Sequence, residues 1–204
     1  MNTPADYFEG QYARADDPWQ LAERWYDRRK YQLTVAALPR ARYRRAFEPG
    51  CSVGVLSELV APRCEALLCA DRVASAVGTA TRRLAGLPQV RVQHMAVPEE
   101  WPEGPFDLVV LSELLYYFGP EARARVLRQS ADSLSDRGHL IAVHWNHPVD
   151  EHTRTGRQIA EEVDAIPHLC QVARYDDPDF TLTVHERGTS PGPALSPARA
   201  EGLA

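Results

Sequence analysis

The sequence predicts an α/β chain: a doubly wound sheet of about seven strands, mostly parallel, with helices on both faces and an antiparallel hairpin at its C-terminal end. Three observations lead there. From Ala46 onward, short apolar runs alternate with longer polar-apolar stretches, which is the pattern of βαβ units. One run, Phe106-Asp107-Leu108-Val109-Val110-Leu111-Ser112, has the near-continuous apolar character of a buried strand in a parallel sheet. The last two apolar runs are separated only by the turn formers Asp176-Asp177-Pro178-Asp179, which suit a hairpin rather than another βα unit.

Taken in order, Asp16-Asp17-Pro18-Trp19 offers a cap and a proline at the first helical position. Leu21, Trp25, Tyr26, Leu33, Ala37 and Leu38 then recur at roughly helical spacing until Pro39. One amphipathic helix therefore precedes the sheet. Arg40, Arg42, Arg44 and Arg45 after it read as a solvated connection rather than a phosphate site. Ala46-Phe47-Glu48 ends the first strand, and Val53 to Val60 is a short helix that stops before Pro62. Ala66 to Asp71 is the second strand, Val73 to Leu84 its helix, and Val90 to Gln93 the third strand. Phe106 to Ser112 is the fourth, and Pro120 opens a helix over Glu121 to Leu134. The turn Ser135-Asp136-Arg137-Gly138 leads into a fifth strand, His139 to His144. Leu169 to Tyr175 and Phe180 to Glu186 make the closing hairpin, and 188–204, almost without bulky residues, is expected to be a flexible tail.

The 204 residues are 44% hydrophobic and 25% charged, enough to bury a core without metal or disulfide. Asp+Glu 28 against Lys+Arg 23 gives a net charge of -5, which disfavours nucleic acid as a partner because phosphate neutralisation needs the opposite sign. The N-terminus shows no basic and apolar leader, and no run is long enough to span a bilayer, so a cytoplasmic protein without membrane association is expected. Cys51, Cys64, Cys69 and Cys170 contain no CxxC spacing and are expected to be free thiols, with no metal site. Lys30 is the sole lysine, a bias toward arginine that by itself indicates no mechanism.

In an open α/β sheet a ligand binds beyond the carboxyl ends of the strands, so the residues just after each strand carry the chemistry. After the first strand comes Glu48-Pro49-Gly50-Cys51-Ser52-Val53-Gly54, whose glycines permit a tight turn and close approach of a ligand. Ser52 and Val55 stand where a dinucleotide fingerprint needs its second and third glycines, and no P-loop lysine follows, so neither a pyrophosphate nor a nucleoside triphosphate is indicated. Glu48 suits a ligand ammonium. Asp71, 23 residues further on, either caps a helix or accepts the hydroxyls of a ribose; together with Glu48 it favours a nucleoside-bearing ligand.

The order Glu-x-Gly-x-x-x-Gly, strand-end Asp, Phe-Asp-Leu-Val-Val-Leu-Ser-Glu and Gly-x-Leu-Ile-Ala-Val resembles the class I S-adenosylmethionine-dependent methyltransferases, with their Rossmann-like fold. The stretches Trp25 to Tyr31, Phe47 to Gly54, Leu111 to Phe118 and His144 to Val149 are more narrowly similar to the nodulation protein S family of small-molecule N-methyltransferases. The resemblance covers about Trp19 to Arg187. It implies that Glu48, Gly50, Cys51 and Gly54 border the methionine part of the cofactor and that Asp71 with Arg72 borders ribose and adenine. In Met95-Ala96-Val97-Pro98, Ala96 stands where the family carries an acidic residue for the adenine amino group, so Ala96 and Val97 mark that end without a side-chain acceptor. The resemblance also makes residues 1–39 a helical lid, with Trp19 over the cofactor and Arg29 gripping its carboxylate. The methyltransferase domain then spans 40–187.

After the fourth strand, Ser112 and Glu113 stand where cofactor and substrate would meet, although Glu113 is also a plausible helix-start carboxylate. Tyr116 and Tyr117 either pack in the core or present ring faces to a cation, and adjacent helical positions should not both do the latter. After the fifth strand, His144-Trp145-Asn146-His147 places two imidazoles near the site, and an amine nucleophile must lose a proton before attack. His144, His147 and Glu113 are thus the candidate catalytic groups, with Tyr116, Tyr117 and Trp145 lining the substrate. The expected reaction is methyl transfer to an amine of a small metabolite such as an amino sugar, by a monomer or homodimer. O-methylation and non-catalytic cofactor binding are the alternatives.

Overall fold

The computed structural model describes residues 2–188 and 196–203. Ala5–Arg14 (α1) and Trp25–Ala36 (α2) precede Tyr43–Pro49 (β1), Val55–Val60 (α3), Cys64–Asp71 (β2), Ala74–Arg83 (α4) and Val90–His94 (β3). Phe106–Ser112 (β4), Pro120–Ser133 (α5), Leu134–Trp145 (β5), Gly156–Asp164 (α6), Leu169–Asp176 (β6), Phe180–Arg187 (β7) and the single turn Pro197–Ala200 (α7) follow. The strands form one seven-stranded sheet in the order β3-β2-β1-β4-β5-β7-β6. β1 to β5 are parallel to one another, and β7 inserts antiparallel between β5 and β6. This is the Rossmann-like architecture expected from the sequence, including the C-terminal hairpin.

Alternation along the strands divides the core in two. Leu108, Val110, Ile141 and Val184 face Tyr31 of α2, Leu56 and Val60 of α3 and Ala80 of α4. Phe47, Val109, Leu111 and Leu140 face Val126 and Leu127 of α5 and Ile159 and Val163 of α6. Each fully buried aliphatic side chain contributes about 1.5–3 kcal/mol relative to exposure, so the sheet is fixed from both sides. All seven residues of β4 are buried, as its composition requires. Because chain order reverses between β1 and β4, a crevice opens beyond their carboxyl ends.

Several boundaries differ from the sequence reading. The helix expected from Trp19 begins at Trp25, because Asp17 turns its carboxylate onto the Ala22 N–H (3.0 Å) and Gln20 sits at φ 56. The turn expected at 135–138 lies inside β5 as a bulge, with Arg137 at φ 59 and the β4 pairing jumping from Phe106↔Leu134 to Leu108↔His139. Three helices went unanticipated, among them the single turn α7, which lies within the expected tail and is capped by the Ser196 side chain accepting from the Arg199 N–H. α1 has no side-chain cap. α6 opens on a complete capping box in which Thr155 and Gln158 exchange side-chain-to-backbone bonds, a Thr-x-x-Gln signal present in the sequence. Of the expected tail, 189–195 and 204 lie outside the described residues. Among the described residues, no helix is long and apolar enough to cross a membrane.

Candidate functional site

Beyond the ends of β1, β2, β4 and β5 lies a cavity of about 400 Å³. Its floor is the loop after β1. Gly50 (φ +73) and Gly54 (φ +79) bend the chain back, and the Gly50 and Cys51 N–H groups donate to the Ala70 carbonyl at 2.7 and 2.9 Å. Gly50 packs on Leu114 of the segment after β4, whose side chain would have to move for a Cβ at 2.8 Å, and its φ of +73 is one that other residues adopt only with strain.

Two carboxylates face this end of the cavity. Glu48 is 2% exposed, and burial raises its pKa to about 7. Its contacts are a thiol, Cys69 Sγ at 3.9 Å, and the Ser57 hydroxyl, with no ion pair among the described residues. Asp71 accepts from the Ser52 N–H and the Val73 N–H, each at 2.9 Å, one bond per oxygen, and burial shifts its carboxyl upward against those bonds. Each oxygen keeps a lone pair for a ligand hydroxyl.

The opposite end is built on a positive-φ residue. Glu113 (φ 52) ends the β4 turn, its N–H donating to the Val143 carbonyl at 2.9 Å. Lys30 Nζ stands 3.2 Å from Glu113 Oε1 and 3.0 Å from Asp27 Oδ1, over the rings of Tyr26 (4.7 Å) and Tyr31 (5.2 Å). The Tyr116 hydroxyl donates to Glu113 Oε2 in a short contact. Tyr116 stacks on His152 with ring centroids 3.6 Å apart, and burial lowers the His152 pKa to about 4, leaving a neutral imidazole on the wall. Trp145 contributes its ring, edge-on to Tyr26 at 5.1 Å.

α1 covers the opening with Tyr7, Phe8 and Tyr12. The Tyr12 and Ser52 hydroxyls share a hydrogen bond of 2.6 Å, the Thr3 N–H donates to the Tyr117 carbonyl at 2.8 Å, and the Phe8 ring meets Tyr117 edge-on at 4.9 Å.

Of the residues singled out in the sequence, Trp19, Glu48, Gly50, Cys51, Asp71, Arg72, Val97, Ser112, Glu113, Tyr116, Tyr117 and Trp145 line this cavity. Both tyrosines reach it, because they lie in a 3-10 turn, Leu115–Tyr117, and not on a regular helix; Tyr116 belongs to the core as well. Five residues lie elsewhere. Arg29 is drawn to the hairpin, where it pairs with Asp177 (2.8 Å) and the Tyr175 hydroxyl (2.9 Å); Arg24 lines the cavity instead. His144 is buried, its Nε2 accepting the Leu115 N–H at 3.1 Å, and desolvation lowers its pKa to about 3. His147 is exposed and pairs with Asp179 at 2.7 Å. Gly54 caps α3, and the Ala96 N–H takes the Glu100 carboxylate at 2.7 Å. The sequence reading missed Asp27, Lys30 and His152 as cavity residues. Asp27 and Lys30 share a helix face at i, i+3, a spacing visible in the sequence; nothing local distinguishes His152.

A family profile described as nodulation protein S matches residues 6–143. A nodulation protein S from Rhizobium tropici is 32% identical over 129 residues, which is 62% of this chain and 54% of that protein. The chain thus spans about half the length of the curated relatives it matches. A solved structure from Pseudomonas syringae, provisionally described as a methyltransferase, is 38% identical, with a TM-score of 0.71 over 80% of this chain and 100% of that one. The N-methyltransferase NodS from Bradyrhizobium japonicum, crystallised with S-adenosylhomocysteine, shares the fold at 22% identity, with a TM-score of 0.81 over 92% of this chain and 99% of that one.

Proposed function

The chain belongs to the nodulation protein S family, and from that premise we propose that it transfers a methyl group from S-adenosylmethionine to a nitrogen of a small amine-bearing metabolite. The observation that carries the reading is the pairing, at one end of the cavity, of a buried carboxylate with no ion pair among the described residues, Glu48, with a strand-end carboxylate, Asp71. An α-ammonium and a pair of ribose hydroxyls are the groups such a floor recognises. Glu48 would hold the ammonium, Asp71 the ribose, and Arg72, Met95 and Val97 would flank the base. Ala96 does not line the cavity, so a base there meets apolar walls and backbone groups rather than an acidic side chain.

When bound, the cofactor supplies a methyl group made electrophilic by its sulfonium. The chain contributes alignment and water exclusion, the terms that dominate when no covalent intermediate is required. Tyr26, Tyr31, Tyr116, Tyr117 and Trp145 form aromatic walls, and α1 shields the opening. Glu113 and the neutral His152 face the cavity as acceptors for the nucleophile's N–H, whereas His144 and His147 point away from it. Calorimetry with S-adenosylhomocysteine, followed by labelled-methyl transfer to a panel of amines and phenols, tests the reading. Saturable binding and label on amines are expected. Absence of binding, or label confined to phenols, overturns the cofactor or the nitrogen assignment respectively.

A further inference from the structure

Lys30 is the chain's sole lysine, every other basic side chain being arginine, and it is 2% exposed on the cavity wall. It touches two carboxylates, at 3.0 and 3.2 Å, and two ring faces, at 4.7 and 5.2 Å. A compact ammonium with three donors meets that arrangement; a planar guanidinium fork does not. Two carboxylates, Asp27 and Glu113, meet the one ammonium of Lys30 in direct contact, while the Arg24 guanidinium on the same wall acts on Asp27 from beyond ion-pair distance, so carboxylates outnumber the cation within the triad. Among the described residues, Glu113 Oε1 is buried and receives no hydrogen bond, only the Lys30 ion pair. The triad borders the glycine loop, since Leu114, next to Glu113, packs on Gly50.

We propose that Asp27, Lys30 and Glu113 form a charge-selecting element, which favours the sulfonium methyl donor over the uncharged thioether left after transfer. The inference rests on the cofactor reading above. As the nitrogen lone pair bonds the methyl carbon, the C–S electron pair returns to sulfur, and the positive charge leaves through nitrogen as a proton. The triad then loses its countercharge, so its own contribution to holding the cofactor is smaller for the thioether than for the sulfonium. Charges in a partly desolvated cavity interact more strongly than in water, so this difference is measurable.

Calorimetry on the full chain at about pH 8, where free carboxylates are ionised, compares S-adenosylmethionine with S-adenosylhomocysteine. Lys30→Met should raise the preference for the sulfonium by about fivefold or more, and Asp27→Asn and Glu113→Gln should each lower it by a similar factor. A purely structural role would move both ligands together. Equal changes for the two ligands, or changes of the same sign in all three variants, overturn the proposal. Should Lys30→Met fail to fold, the two carboxylate variants decide it, together with isotope-labelled lysine in the wild type. The single Lys30 signal should move more with the sulfonium than with the thioether, and equal movement counts against the proposal. Failure of the wild type to bind either ligand refutes the cofactor reading instead.

Discussion

Replacing Glu48 by Gln should make the ligand-free protein more stable and its cofactor binding weaker. Burial holds the Glu48 carboxyl at about 7, against an ordinary value of 4.5, so keeping it ionised inside the fold costs roughly 3 kcal/mol at pH 8. Between those two values the folded protein keeps a proton that the unfolded chain has released. Stability therefore falls as pH rises through that window, and the cost is fully present above about 7. Glu48→Gln removes it, raising the melting temperature at pH 8 by about 6–10 °C for a chain of this size, with little gain at pH 4. Binding should show the opposite dependence. An arriving ammonium requires the ionised form, which rises from about one tenth to about nine tenths of molecules between pH 6 and pH 8, so affinity should increase roughly tenfold. Calorimetry at pH 6 in buffers of different ionisation enthalpy should detect nearly one proton released per S-adenosylhomocysteine bound by the wild type and none by the variant. If Glu48→Gln melts no higher at pH 8 and binds with an unchanged pH dependence, Glu48 does not carry the charge assigned to it.

Asp71→Ala should weaken S-adenosylhomocysteine at least about tenfold, since it removes charged acceptors for two hydroxyls, and calorimetry reads the loss directly. Amide exchange in α1 should slow when that ligand is added, because the helix both lines and covers the cavity; equal exchange with and without it would count against a lid. Arg123→Ala should cost about 1–3 kcal/mol in a denaturant titration, from the buried hydrogen bonds it leaves unmade, Glu162 being partly exposed and keeping Arg154. The buried guanidinium pairs with Glu162 at 2.6 Å and ties the Phe118 carbonyl to Thr153 beside the cavity. His147→Ala should leave cofactor affinity unchanged and the melting temperature within about 2 °C, as expected for an exposed pair away from the cavity.

The sheet was legible in the sequence because its strands are short apolar runs whose burial leaves few alternatives, β4 above all. That Glu48, Gly50 and Asp71 would share one end of a cavity was legible for a related reason: they sit at strand ends, and topology alone places strand ends together. The N-terminal cover and the far end of the cavity were not, because their positions depend on contacts between distant segments. Arg29 and Lys30 are neighbours in one helix, yet one turns to the hairpin and the other to Glu113. His144 has the residue type of a general base, but strand alternation points it into the core. His152 lies in a loop without a periodic pattern, and only the 3-10 turn carrying Tyr116 brings the two rings together. The lone lysine was visible as a count, and its meaning came from where it folds.

The bonds that tie the N-terminal segment across the cavity also set an order of events during synthesis. Thr3 donates to the carbonyl of Glu151, 148 residues later in the chain. α1 precedes every strand, so it leaves the ribosome before the sheet and must wait until most of the sheet has emerged before it has anything to close upon. Contacts of such separation form late, because the loop entropy must be met before they contribute. A nascent chain therefore carries the aromatic face of α1 uncovered while the sheet is translated, available to a chaperone or to a neighbouring nascent chain until Glu151 has emerged.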